Sequence, residues 1–164
     1  MILSFKAYST NIAVIDINSL INNSKQFIEI STKINNAQIE YKEKFQNTEK
    51  NLYEIKEELE NLKLIINQDE FNIKKEEYYK EVANFENDVN NFNKHYESEI
   101  INIKNKIFAK ISELIQKYAE SNQIDLILEK NQYLIAAEKI NISEDIFAKL
   151  NELKLDLKFQ KYEN

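Results

Sequence analysis

The apolar positions of the chain change their period twice. Residues 11–17 read NIAVIDI, a short β-branched run that predicts a buried strand. Asn18 and Ser19 are suited to capping, and residues 19–23 predict a short helical turn. From about Ser24 to Ile66 the chain is polar but periodic, with seam positions at Ile34, Tyr41, Phe45, Thr48, Leu52, Ile55, Leu59, Leu62 and Ile66. From Tyr41 onward the steps alternate four and three, the heptad spacing of a left-handed coiled coil. At helical rise this segment would be roughly 60 Å long. A second run, Phe71, Tyr78, Val82, Phe85, Val89, Phe92, Tyr96, Ile100, Ile103 and Ile107, keeps that spacing until Tyr96 and then slips by one residue.

The two seams mirror each other. Ile66 matches Phe71, Leu59 matches Tyr78, Ile55 matches Val82, Leu52 matches Phe85, and Phe45 matches Phe92. Tyr41 with Tyr96, Ala37 with Ile100, and Ile34 with Ile103 continue the series, while Leu62 meets Lys75 as the one poor match. A chain that folds back around Asn67-Gln68-Asp69 would place each pair in one layer of an antiparallel hairpin. Asn67 is suited to the left-handed position that ends a helix, and Asn67 or Asp69 to capping the returning one.

After about Ser121 the period changes again. Residues 124–128 and 133–136 are strand-like, with Asn131 suited to a hairpin turn between them. Ser143 is expected to cap a short amphipathic helix carrying Ile146, Phe147, Leu150 and Leu153. Leu153, Leu155, Leu157 and Phe159 alternate with polar residues, as a last edge strand or a tail would. The predicted fold class is mostly α with a small β part (α+β): a long antiparallel coiled-coil helical hairpin on a small β-stranded trimerisation base. Residues 34–103 form the arm, with its turn near 67–69, and residues 11–33 and 104–164 form the base.

Composition sharpens this picture. Glycine and proline are both absent, which suits long uninterrupted helices and leaves turns to Asn and Asp. Without glycine neither a dinucleotide-binding loop nor a phosphate-binding loop of the usual kind can form. Without cysteine there is no thiolate nucleophile or cysteine–zinc site. Every basic residue is lysine, and His95 is the one histidine, in a charged helical run that reads as solvated surface. No enzymatic activity and no cofactor are expected. The net charge of −6 argues against nucleic acid as a partner. No run of about 18 apolar residues is present, so membrane contact is at most peripheral. Residues 1–10 read as a signal-peptide remnant or a frayed N-terminus.

Short strands that are apolar on both faces need a covering surface, and several copies closing their strands would hide the edges too. The candidate oligomerisation residues are Ile12, Val14, Ile124, Leu126, Leu128 and Leu134. The arm from Glu40 to Glu99 carries 16 acidic residues against 9 lysines, and so holds the excess negative charge. It also carries more apolar residues than its seam uses. Leu64, Ile65, Phe71, Ile73 and Tyr79 are candidate contacts for unfolded or partly folded chains, with packing across the turn as the alternative.

The order strand, short helix, long hairpin, strands and short helix resembles the Skp (OmpH-like) family of periplasmic chaperones. The residues that carry the resemblance are Ile12-Ala13-Val14-Ile15-Asp16 with Ser19-Leu20, then Tyr118-Ala119, Ile124 to Leu128, Asn131, and Ile142-Ser143 before Leu150. It covers about residues 11–153. The resemblance implies a homotrimer in the periplasm with three arms around a cavity. It also implies ATP-independent holding of unfolded outer-membrane β-barrel proteins. Well-known relatives in that family have basic arms, whereas these are acidic, so capture is expected to rest on apolar contacts and confinement. The competing readings are a cytosolic prefoldin-like holdase and a structural coiled-coil adaptor without client-holding activity.

Overall fold

The computed structural model describes residues 10–163. It is mostly helical with one two-stranded sheet. The elements are β1 (Ile12–Ile15), α1 (Ile17–Asn23), α2 (Lys25–Leu62), α3 (Gln68–Asn122), β2 (Leu126–Glu129) and α4 (Ser143–Glu152). Short 3-10 turns occupy Lys130–Gln132 and Glu138–Ile140. The chain divides into two compact units. One holds the residues up to Ile30 together with Ile101–Lys158, and the other holds Ser31–Ile100 together with the residues from Phe159. The expected base ran to residue 164, but from Phe159 on the tail groups with Ser31–Ile100. The expectation for residues 1–10 lies outside the described residues, Thr10 excepted.

In the first unit β1 and β2 pair in parallel, with Ile12 opposite Leu126 and Val14 opposite Leu128. A parallel pair needs a long crossover, which the intervening helices supply. The other edge of β1 is taken up at Val14, whose carbonyl accepts from Ile142 N at 3.0 Å beside the bridge to Asn141. The core comprises Ala13, Val14 and Ile15, Leu20 and Ile21, Ile107 and Ile111, and Ile146 and Leu150. Each fully buried aliphatic side chain here contributes about 1.5–3 kcal/mol relative to exposure.

The caps differ from expectation. Asp16, not Asn18 or Ser19, caps α1, accepting from Ser19 N at 2.9 Å. Lys130 bonds the same carboxylate at 2.7 Å and holds its pKa below the ordinary value of 3.8. Ser24 closes α1 and opens α2: its Oγ donates to Ile21 O at 2.8 Å and accepts from Phe27 N at 3.2 Å. Ser143 begins α4 without capping it, and its Oγ accepts from Asp16 N instead. The buried Gln26 Nε2 donates to Leu150 O at 2.9 Å and Leu153 O at 2.8 Å, satisfying carbonyls at the end of α4.

Helix α3 ends where Gln123 adopts φ 54°, the one left-handed residue among those described. Ile124 N then donates to Ala119 O at 3.0 Å, the bond that closes a helix with a left-handed C′ residue. Neither Asn nor Asp takes this position. Asn11 Nδ2 donates to Gln123 O at 2.9 Å and so ties the bend to the start of β1.

The predicted strand over 133–136 does not form. Glu129 N donates to Gln132 Oε1 at 2.9 Å and the chain turns at once into a 3-10 turn, so Asn131 makes no hairpin. Leu134 and Ile135 are consequently exposed on irregular backbone. The alternation from Leu153 to Phe159 is likewise a tail, with its apolar residues half-buried and no strand formed.

In the second unit the two seams meet. Phe45 lies 5.2 Å from Phe92 between ring centroids, as the mirrored spacing requires, and Tyr41 lies 5.2 Å from Phe92. Leu52 and Phe85 line one crevice, and Leu59 and Tyr78 another. Every seam position is buried or half-buried except Thr48, which is exposed. At the turn Leu62 O accepts from both Ile65 N and Ile66 N, and Asn67 Oδ1 accepts from Glu70 N at 2.9 Å. Asn67 therefore caps α3, and it does so without a left-handed backbone.

Candidate functional site

Three surfaces have features that folding alone does not require. The first lies at the hairpin turn. Leu64 and Ile65 follow the last residue of α2, where the chain has left the helical period and no seam receives them. They are 93% and 76% exposed. Ile73 and Tyr79, on the first turns of α3, are 59% and 58% exposed. Phe71 differs from these four: it is half-buried in a crevice with Leu59 and Tyr78. Lys75 Nζ sits 5.7 Å from the Tyr79 ring, so part of that ring's face is already covered by a cation.

The second surface is the sheet. Ile12 and Leu126 are paired across the strands and both exposed, while their neighbours on the same face, Val14 and Leu128, turn inward. Val14 is buried within this chain, its strand edge bridged to Asn141, and is not available to another copy. Leu128 and Ile124 are half-buried, and Leu134 stands clear of the sheet altogether. Of the six residues expected at an oligomer contact, Ile12 and Leu126 are thus brought together and exposed.

The third surface was not anticipated. The tail docks on an aromatic cluster of the hairpin. The Tyr162 ring stands 5.0 Å from Tyr41, 5.6 Å from Phe92 and 5.6 Å from His95. Its hydroxyl donates to Asp88 Oδ1 at 2.6 Å. Phe159 lies 6.5 Å from Tyr96. The tail backbone is held as well: Gln160 N donates to Glu99 Oε2 at 3.1 Å, and His95 Nε2 donates to Gln160 O at 2.8 Å. A carbonyl only accepts, so Nε2 carries the proton in this bond. Lys161 pairs with Glu40 at 3.0 Å. His95 is therefore a docking residue and not merely solvated surface. The alternation from Leu153 to Phe159 was the only sequence trace of this contact, and it carried no hint of the partner.

The hydrogen bond to Asp88 pushes the Tyr162 phenol up to about 12, with burial acting in the same direction. Its pKa is raised on docking, so the contact is at full strength below the ordinary tyrosine value of 10.0 and is lost as pH rises through about 12. Tyr41 and Tyr118 are raised as well, so the step of Tyr162 is identified in tyrosinate absorbance as the late ionisation that Tyr162→Phe removes. Asp88→Asn should bring that step back toward the ordinary range. An unchanged late step in that variant would remove Asp88 as its cause.

Among the described residues no group of His, Cys, Asp and Glu side chains could hold a metal ion, and no helix is long and apolar enough to cross a membrane. With this geometry in place, comparison with known proteins identifies the class. The model of the family described as "Outer membrane protein (OmpH-like)" matches residues 11–150. The chain belongs to the OmpH-like family. A solved structure from Caulobacter crescentus CB15, described as a candidate OmpH-like outer membrane chaperone, superposes with a TM-score of 0.75. It is 11% identical, and the match covers 98% of this chain and 97% of that one, so the likeness is one of fold. No protein with a curated description matches this sequence.

Proposed function

We propose that the chain is an ATP-independent holdase that keeps unfolded outer-membrane β-barrel proteins soluble in the periplasm. It works as a homotrimer that confines the client between helical arms. Membership of the OmpH-like family supports a chaperone role. The observation that carries the reading is the exposed cluster of Leu64, Ile65, Ile73 and Tyr79. Water-exposed apolar side chains at a hairpin turn add nothing to the fold, and they match the apolar segments that an unfolded barrel presents. The arm is acidic, so capture works through apolar contact and confinement, and the like charge keeps arms apart and soluble. The homotrimer is supported by the exposed Ile12–Leu126 pair and by the second edge of β2, for which no partner is seen among the described residues.

Solution mass combined with an aggregation assay tests the proposal. The mass is expected at about three times 19.5 kDa. An unfolded outer-membrane protein should stay soluble without nucleotide and with little dependence on salt. A mass of one chain at working concentration removes the confinement. A trimer that leaves aggregation unchanged would instead be a structural adaptor.

A further inference from the structure

The docked tail shows what its groove can bind. The groove makes two kinds of contact with residues 159–163. One is with the main chain: His95 takes the Gln160 carbonyl, Glu99 takes the Gln160 N–H, and the Tyr96 hydroxyl accepts from Tyr162 N at 3.4 Å. These bonds do not depend on which side chains the segment carries. The other is with rings at positions i and i+3, Phe159 beside Tyr96 and Tyr162 among Tyr41, Phe92 and His95. The segment has no regular secondary structure of its own, and the contacts it makes here are with the groove. Main-chain bonds for affinity and side-chain sockets for selectivity are the general features of a site for extended peptides.

We propose that this groove is a binding site for extended, aromatic-bearing segments of unfolded polypeptide, and that residues 159–163 are its tethered occupant. The nature of the partner rests on the holdase reading; the groove and its occupancy do not. A tethered occupant is present at an effective concentration on the order of millimolar, so a free segment reaches the groove only in the fraction of molecules whose tail is off. Weak contacts are then screened out, while a client already held elsewhere on the same molecule competes from a raised local concentration of its own. Asp88 makes the ring socket selective, since its carboxylate rewards a phenol.

Fluorescence anisotropy with a labelled synthetic copy of residues 155–164 tests this on the full chain. The variant Phe159→Ala/Tyr162→Ala empties the groove and is expected to bind the probe at least roughly ten-fold more tightly than the wild type. Either single substitution should give a smaller shift in the same direction. A probe with alanine at both aromatic positions should not bind. An unlabelled peptide of unrelated sequence, with Phe and Tyr spaced as in the tail, should displace the probe. Equal affinity of wild type and double variant overturns the tethered occupancy. Binding of the alanine probe, or failure of the unrelated peptide to compete, overturns the site as one for aromatic segments. No client protein is present in this measurement, so its failure leaves the holdase reading untouched. Failure of the aggregation assay leaves the groove untouched in turn.

Discussion

Phe92→Ala is expected to destabilise the hairpin unit by about 3–5 kcal/mol, the range for removing a fully buried aromatic ring. Phe92 is 2% exposed and its ring is in contact range of four others. Tyr41 and Phe45 each lie 5.2 Å away, Tyr96 lies at 5.0 Å, and Tyr162 at 5.6 Å. The void cannot close easily, because Tyr41 and Phe45 stand on α2 and Tyr96 on α3, each held by its helix. Aromatic pairs add about 0.5–1.5 kcal/mol apiece beyond burial, so losing several at once places the effect toward the upper end. The same substitution loosens the tail, and the late ionisation of Tyr162 should move back toward the ordinary tyrosine value with it. Urea unfolding at one fixed chain concentration measures the change, since the stability of the proposed homotrimer would depend on concentration. The exposed Tyr53→Ala is the control and should stay within about 0.5 kcal/mol. A loss below about 1 kcal/mol for Phe92→Ala would mean that the seam is not packed as described.

That Phe92 faces Phe45 was legible before any coordinates, because a heptad seam is a local signal repeated many times. A single misplaced residue does not erase it, and Thr48 shows as much: the spacing put it on the seam, yet it is exposed. With neither glycine nor proline to interrupt α2 and α3, little competed with the helical period. The base was harder to read, because its strands are four residues each and their pairing is set by distant parts of the chain. Tyr133-Leu134-Ile135-Ala136 has a strand's composition, but the turn at Glu129–Gln132 leads it away from the sheet. Val14 looked like a contact for another copy. It is core instead, 3% exposed, and its strand edge is bridged to Asn141, a pairing that no local pattern announces. Gln123 took the left-handed position in a chain rich in Asn, since helix-end geometry is settled by where α3 must stop and β2 begin. At the hairpin turn the sequence pointed to five apolar residues, four of which are exposed and one, Phe71, half-buried. The tail's groove escaped notice because its two halves are far apart in sequence: Asp88, His95 and Glu99 on one helix, Phe159 to Tyr162 beyond the last one.

Replacing Leu64, Ile65, Ile73 and Tyr79 together by serine is expected to remove most of the proposed holding activity while leaving the fold in place. Each side chain is more than half exposed, so the loss to folding should be small, within about 2 kcal/mol in all. In a complex the same groups would leave water. Full burial of one such side chain is worth about 1.5–3 kcal/mol, and partial burial of four gives roughly 3–6 kcal/mol. That corresponds to about a hundred-fold to ten-thousand-fold in affinity before ordering costs reduce it. Phe71 is left intact, because its half-buried ring packs beside Leu59 and Tyr78 and its loss would confuse instability with lost binding. The comparison is made by light scattering of an unfolded outer-membrane protein, with thermal unfolding of both proteins alongside. Raising the salt should not imitate the substitutions, since charge screening acts on the lysines and carboxylates and not on these four groups. If the quadruple variant holds its client as well as the wild type, the turn is not the contact surface. Capture would then fall to other exposed apolar groups of the hairpin, of which Ile39 is the nearest in kind, or to the groove under the tail.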